Sequence, residues 1–258
     1  NCHGWRPGMS KPGQIRLAVV AGVVLFLEFI CRVGWVDTIS LAPPTKIVAS
    51  AIGLVMSGEI RRDAFLTFST VAGSIVSAVS VGFLMGLALH RFPLVRRFLD
   101  PFLASYYSIP TFVFYPFFIV MFGLNRIPLM AIGFIFAVVA MAINTLSGMQ
   151  RVPRVWLRTA QMMRMSRIDT IRKVIMPAAA PYLFTGLKLA IVYSFIGVIA
   201  GEFILSGAGL GFQIAFSYNS FETAKMYGYL AILLTLVGGL NLYIYGLEKR
   251  IYERRGGR

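Results

Sequence analysis

The sequence predicts an all-α integral membrane protein with six transmembrane helices and both termini cytoplasmic. Three observations carry this. Of 258 residues, 57% are hydrophobic and only 14% are charged, where a soluble domain carries about 25% charged residues. The apolar residues gather in stretches long enough to cross a bilayer. The basic residues fall in alternate connections between those stretches.

A hydrocarbon core of about 30 Å requires roughly 20 mainly apolar residues in a helix. Six stretches qualify: 15–36, 64–90, 99–123, 127–148, 181–205 and 227–247. Unpaired backbone groups are costly in lipid, so each is expected as a helix. The ten-residue alternation of a membrane β-barrel is missing. The first stretch is too long for a signal-peptide core and no small-residue cleavage site follows it.

Orientation follows from the connections. The N-terminus (Arg6, Lys11, Arg16), the second connection (Arg91, Arg96, Arg97), the fourth (Arg151 to Lys173) and the C-terminus (Lys249 to Arg258) are basic. The first holds Lys46, Arg61 and Arg62, the third Arg126 and the fifth Lys225. Basic residues concentrate on the cytoplasmic side, which places both termini there. The chain divides into a cytoplasmic N-terminal segment 1–14, a transmembrane domain 15–251 and a basic cytoplasmic tail 252–258. Within 1–14, residues 1–8 read as a non-native extension ahead of Met9-Ser10-Lys11.

The net charge of +15 raises a nucleic-acid partner, but its placement in short connections is that of topology signals. Cys2 and Cys31 have no CxxC spacing, and His3 and His90 are far apart. Neither a disulfide framework nor a metal site is expected.

Two connections are long enough to hold structure. Residues 45–57 follow Pro43-Pro44, stop at Gly58 and place Ile47, Val48, Ala51, Ile52, Val55 and Met56 on one helical face. They predict a short helix lying along the outer membrane surface. The cytoplasmic connection 150–180 predicts two short helices. One spans about 153–165; the other starts at an Asp169 cap and is closed by Pro177. Its seven basic residues exceed what topology requires. An exposed amphipathic helix there is expected to dock a cytoplasmic partner; the alternative is a solvated loop near anionic headgroups.

Within the second stretch, Ser74, Ala78, Gly82 and Gly86 recur every four residues. Small residues at that spacing predict a close-packing seam, within the chain or between copies.

Several motifs resemble a known family. Arg158-Thr159-Ala160, Arg164, Ser166-Arg167 and Val174-Ile175-Met176-Pro177 resemble the EAA loop of ATP-binding-cassette (ABC) importer permeases. Arginine stands at the loop's usual glutamate (Arg158) and glycine (Arg164). Leu41-Ala-Pro-Pro, Ile109-Pro110 with Pro116-Phe117-Phe118-Ile119, Thr185-Gly186-Leu187-Lys188 and Gly201-Glu202 with Gly207-Ala-Gly-Leu-Gly211 are similar to further segments of that family. The likeness is to its nitrate, sulfonate and taurine branch and runs from Gln14 onward.

The resemblance implies a type I ABC importer permease fold in a bacterial inner membrane. It also implies a second permease subunit (a homodimer), two cytoplasmic ATPases docking on Arg158, Thr159, Ala160, Arg164, Ser166, Arg167 and Pro177, and an extracytoplasmic substrate-binding protein. No GxxxxGK[ST] phosphate loop is present, so ATP and Mg are expected in the partner and no cofactor or catalytic residue in this chain. The expected cargo is a small solute, either a sulfonate- or nitrate-like anion or a small aromatic or vitamin precursor.

Ionisable residues inside the apolar stretches are expensive and therefore informative. Glu28 and Arg32 are spaced to pair on one helix face. Lys188 can snorkel or bind a carbonyl. Glu202 either lines or gates the outer pathway or makes helix-end hydrogen bonds. Tyr106, Tyr107, Ser108, Thr111 and Tyr115 form a hydroxyl-rich aromatic surface that suits a solute pathway, with an interfacial aromatic belt as the alternative. An ion-coupled carrier or channel would require paired midplane carboxylates in repeated halves. Glu28 and Glu202 lack matching local sequence.

Overall fold

The computed structural model describes residues 11–37 and 40–254. The expected extension at 1–8 and the end of the basic tail, 255–258, lie outside the described residues. The described chain is helical, without strands. Two compact units are formed: one by the chain up to Ile60 together with Gln213–Val237, the other by Arg61–Phe212 with the chain from Gly238 onward.

In the first unit, α1 (Lys11–Val33) covers most of the first apolar stretch and α2 (Pro44–Ser57) forms where the sequence predicts a short helix. Pro44 occupies the first turn, where a missing N–H loses nothing, and Gly58 ends the helix at φ 77°. Glu28 pairs with Arg32 at 2.7 Å and also accepts from the Thr45 N–H at 3.0 Å and hydroxyl at 2.8 Å. The carboxylate therefore sits at the positive N-terminus of α2 and ties it to α1. Tyr227 adds a hydrogen bond to the Ser40 carbonyl at 3.1 Å.

The second unit holds most of α3 (Ile60–Arg91), then α4 (Pro93–Ser105), α5 (Tyr115–Phe122), α6 (Arg126–Gln150), α7 (Arg154–Met162), α8 (Arg167–Thr170) and α9 (Met176–Leu205). Helix α10 (Leu210–Asn219) and helix α11 (Thr223–Arg254) complete the chain. Among the described residues four helical segments are long and apolar enough to span a bilayer: Ile60–Arg91, Arg126–Gln150, Arg167–Ile204 and Thr223–Gly246.

The stretch 99–123, expected as one helix, is broken. It is shared between α4, two 3-10 turns (Tyr106–Ser108 and Thr111–Phe114) and α5. Pro110 is the cause: it lacks an N–H and drives Ile109 into the extended region (φ −84°, ψ 124°).

Helix α6 is the centre of this unit. The predicted seam packs α3 against it. Ser74 and Ala78 are fully buried, and the Ser74 hydroxyl donates to the Met130 carbonyl at 3.1 Å. A methyl group at Gly82 would lie 2.6 Å from the Val138 carbonyl oxygen, and one at Gly86 would lie 2.5 Å from Thr145 Cβ. The seam is thus internal to the chain. On its other side α6 packs along α9. With lipid as solvent, such contacts stabilise by close dispersion packing rather than by escape from water.

Lys188, rather than snorkelling or binding a carbonyl, pairs with Glu248 of α11 at 2.7 Å. A cation in an apolar stretch is satisfied by an anion from another helix.

Candidate functional site

The 150–180 segment differs from its sequence reading at two points. The first short helix forms, as α7, and ends in a Schellman motif: Met165 N–H donates to the Ala160 carbonyl and Arg164 N–H to the Gln161 carbonyl, both at 3.0 Å. Arg164 occupies the left-handed position of that motif at φ 50°, the place where glycine is ordinarily favoured.

The second helix is capped by Ser166, not Asp169. The Ser166 hydroxyl oxygen accepts from the Asp169 N–H at 3.1 Å, and Asp169 pairs with Lys173 at 2.9 Å. Serine supplies the cap because it alone precedes the first helical turn; Asp169 already lies inside it. Nor does Pro177 close the helix. Helix α8 passes through a wide π turn (Ile171–Ile175) directly into α9. Pro177 lies in the first turn of α9, where the wide turn accommodates its missing N–H.

Around this segment Ala160 is buried, Thr159 donates to the Val155 carbonyl at 3.0 Å, and Arg158, Arg164 and Arg167 are exposed. Among the described residues none of Arg154, Arg158, Arg164 and Arg167 makes an ion pair. Beside them lies a groove of about 800 Å³, lined by Trp156, Thr159, Met163, Met165, Val174 and Pro177 among others.

At the other end of α9 stands a buried carboxylate. Glu202 is 1% exposed. Its Oε2 accepts from the Thr67 hydroxyl at 2.8 Å and from the Gly211 N–H at 3.0 Å. The Thr67 oxygen in turn accepts from Leu210 N–H at 2.8 Å, and Asp63 accepts from Gly209 N–H at 2.9 Å. Three successive amides of the 206–211 turn are thereby held by three side chains. Gly209, at φ 107°, leaves no room for a side chain against the Glu202 carboxyl. Glu202 thus makes the helix-end hydrogen bonds that were one of its two sequence readings, and it also borders a cavity.

That cavity, about 350 Å³, is lined by Thr70, Tyr115, Asn125, Arg126, Glu202 and Ser206 among others. Of the predicted pathway residues whose side chains are described, the fold brings only Tyr115, 5% exposed, together with Glu202 here. Tyr106 instead donates to the Ile135 carbonyl at 2.7 Å, Thr111 is buried and donates to the Ile109 carbonyl at 3.3 Å, and Ser108 is exposed. The Tyr107 side chain lies outside the described residues. Sequence reasoning missed Asp63 and Thr67. The available signal was an acidic residue opening a long apolar helix in a chain with few carboxylates.

Four helical segments long and apolar enough to cross a bilayer mark the described residues as those of a multi-helix membrane protein. Residues 78–256 match the model of the binding-protein-dependent transport system inner membrane component, and the chain belongs to that family. It is a multi-pass inner-membrane protein of ABC transport systems. It is 32% identical to the nitrate import permease NrtB of Leptolyngbya laminosa, over 65% of this chain and 58% of that protein's length. It is 22% identical to the taurine transport system permease TauC of Escherichia coli K12, over 98% of this chain and 94% of that protein. Its fold is similar to that of a chain of the MetNI methionine ABC transporter in inward-facing conformations. The TM-score is 0.60 at 21% identity, with 77% of this chain and 97% of that chain covered.

Proposed function

We propose that the chain is a permease subunit that moves a small anionic or zwitterionic solute, in the class of nitrate and taurine, across the inner membrane. Six spans with both termini cytoplasmic form its membrane domain, and it pairs with a second copy. A cytoplasmic ATPase that holds ATP and Mg docks on Arg158, Thr159, Ala160, Arg164, Ser166, Arg167 and Pro177, and an extracytoplasmic protein delivers the solute. Tyr115 and Glu202 border the route, with Tyr106, Tyr107, Ser108 and Thr111 on the broken segment beside it.

One observation carries the reading. The docking segment is continuous with a spanning helix, Arg167–Ile204, of 38 residues and therefore about 57 Å. Glu202, near the far end of that helix, holds the 206–211 turn. A push on α8 can be passed to the turn along this continuous helix, through the π turn at Ile171–Ile175, and such a link supports nucleotide-driven switching between two states.

Reconstituting the chain with its ATPase and binding protein tests this. ATP-dependent uptake of labelled nitrate or taurine is expected, falling about tenfold in Arg167→Ala, as loss of 1–2 kcal/mol of coupling implies. An ATPase never retained, with uptake unchanged by Arg167→Ala, would remove the assignment.

A further inference from the structure

Glu202 engages only one of its two carboxylate oxygens. Oε2 accepts from Thr67 and Gly211, whereas Oε1 has no hydrogen-bond partner among the described residues, and the side chain borders the 350 Å³ cavity. Tyr115, on the same wall, is buried with no hydrogen-bond partner for its hydroxyl among the described residues. Arg126 also lines the cavity and makes no ion pair among the described residues. The other polar side chains of the wall, Thr70, Asn125 and Ser206, are bonded to backbone groups. Leu66, Ile119 and Leu129 make the rest of the lining apolar.

A buried carboxylate oxygen is costly unless a donor meets it. Arg126 faces the same cavity, yet the two groups do not pair. One small space therefore presents an unmatched acceptor and an unmatched guanidinium, and a solute that satisfies both must carry a cationic donor and an acid group together. A few convergent polar groups in an apolar lining are the usual make-up of a small-molecule site.

We propose that this cavity binds a small zwitterion, its ammonium group donating to Glu202 Oε1 and the Tyr115 hydroxyl oxygen and its acid group accepting from Arg126. The proposal rests on the permease reading and narrows the solute class that reading allows. A bare anion such as nitrate has no donor for Glu202 and is repelled by it, most strongly where the lining is apolar. Arg126 holds the acid group as a forked donor, which suits a sulfonate or a carboxylate.

The test uses the full-length chain in nanodiscs without its extracytoplasmic protein, so that this cavity alone selects. Labelled taurine is expected to bind saturably, and unlabelled taurine and β-alanine to displace it. Ethanesulfonate, which lacks only the ammonium group, and nitrate should each compete about tenfold or more less well. Glu202→Gln keeps an oxygen for Thr67 and Gly211 but turns an amide NH₂ toward the cavity. It should weaken taurine about tenfold or more and leave ethanesulfonate unchanged. Arg126→Gln, at an exposed position, should weaken taurine and ethanesulfonate alike, and it keeps the test open if Glu202→Gln fails to fold. Ethanesulfonate or nitrate binding as tightly as taurine, taurine binding unchanged in both variants, or no taurine binding at all would each overturn the proposal. ATP-dependent uptake of nitrate alongside any of those results would leave the permease reading standing. Taurine binding that follows the expected pattern, with no ATP-dependent uptake of any solute, would uphold the site and remove the permease reading.

Discussion

Glu202 shows how much one side chain can hold in a membrane protein. Its Oε2 accepts from the Thr67 hydroxyl and the Gly211 amide, and the residue is only 1% exposed. Removing the carboxylate leaves both donors buried without partners. Glu202→Ala should therefore lower stability by roughly 2–6 kcal/mol, at about 1–3 kcal/mol for each of the two orphaned donors. A denaturant titration in detergent measures this, and limited proteolysis should report earlier cleavage in the 206–211 turn. A variant as stable as the parent would show that the turn is held by something else. Glu202 was legible as significant from its position in an apolar stretch; Asp63 and Thr67 were not. They lie more than 130 residues away in the chain and meet the turn only through the packing of α3 against the end of α9.

At the scale of elements, the four-residue spacing of small residues identified the α3 seam, and the fold supplied its partner, α6. Gly82→Leu should prevent the two backbones from approaching, because its first carbon alone would lie 2.6 Å from the Val138 carbonyl oxygen. Overpacking of this kind costs about 1–3 kcal/mol or more. The variant is expected to melt earlier in detergent, whereas Gly22→Leu in α1, with open space around it, should not. The break in the 99–123 stretch was only half legible. Pro110 announced local distortion, but hydropathy alone cannot distinguish an apolar helix from apolar turns. The same limit hid the continuity of α8 with α9, since a proline that can end a helix can also sit in a helix's first turn.

At the scale of the whole molecule, the distribution of basic residues predicts that both termini and the 150–180 segment face the cytoplasm. Single cysteines introduced at Ser57 and Gln150 in a Cys2→Ser, Cys31→Ser background test this with a membrane-impermeant maleimide on intact cells. Labelling is expected at position 57 and protection at position 150. The reverse pattern would invert the topology and with it the placement of the docking segment.

Residence in a membrane, the stretches apolar enough to cross it and the family resemblance could all be read from the order of residues. Those properties depend on composition and short-range order, which lipid reads directly. That the small-residue seam is internal, that Lys188 is answered by Glu248, and that Asp63, Thr67 and Glu202 converge on one turn emerged from how the helices pack. The folded backbone also puts Arg164 in the left-handed region that glycine favours. Each of these depends on which distant groups a buried or strained atom meets, and in lipid a polar group's partner is set by helix packing rather than by its neighbours along the chain.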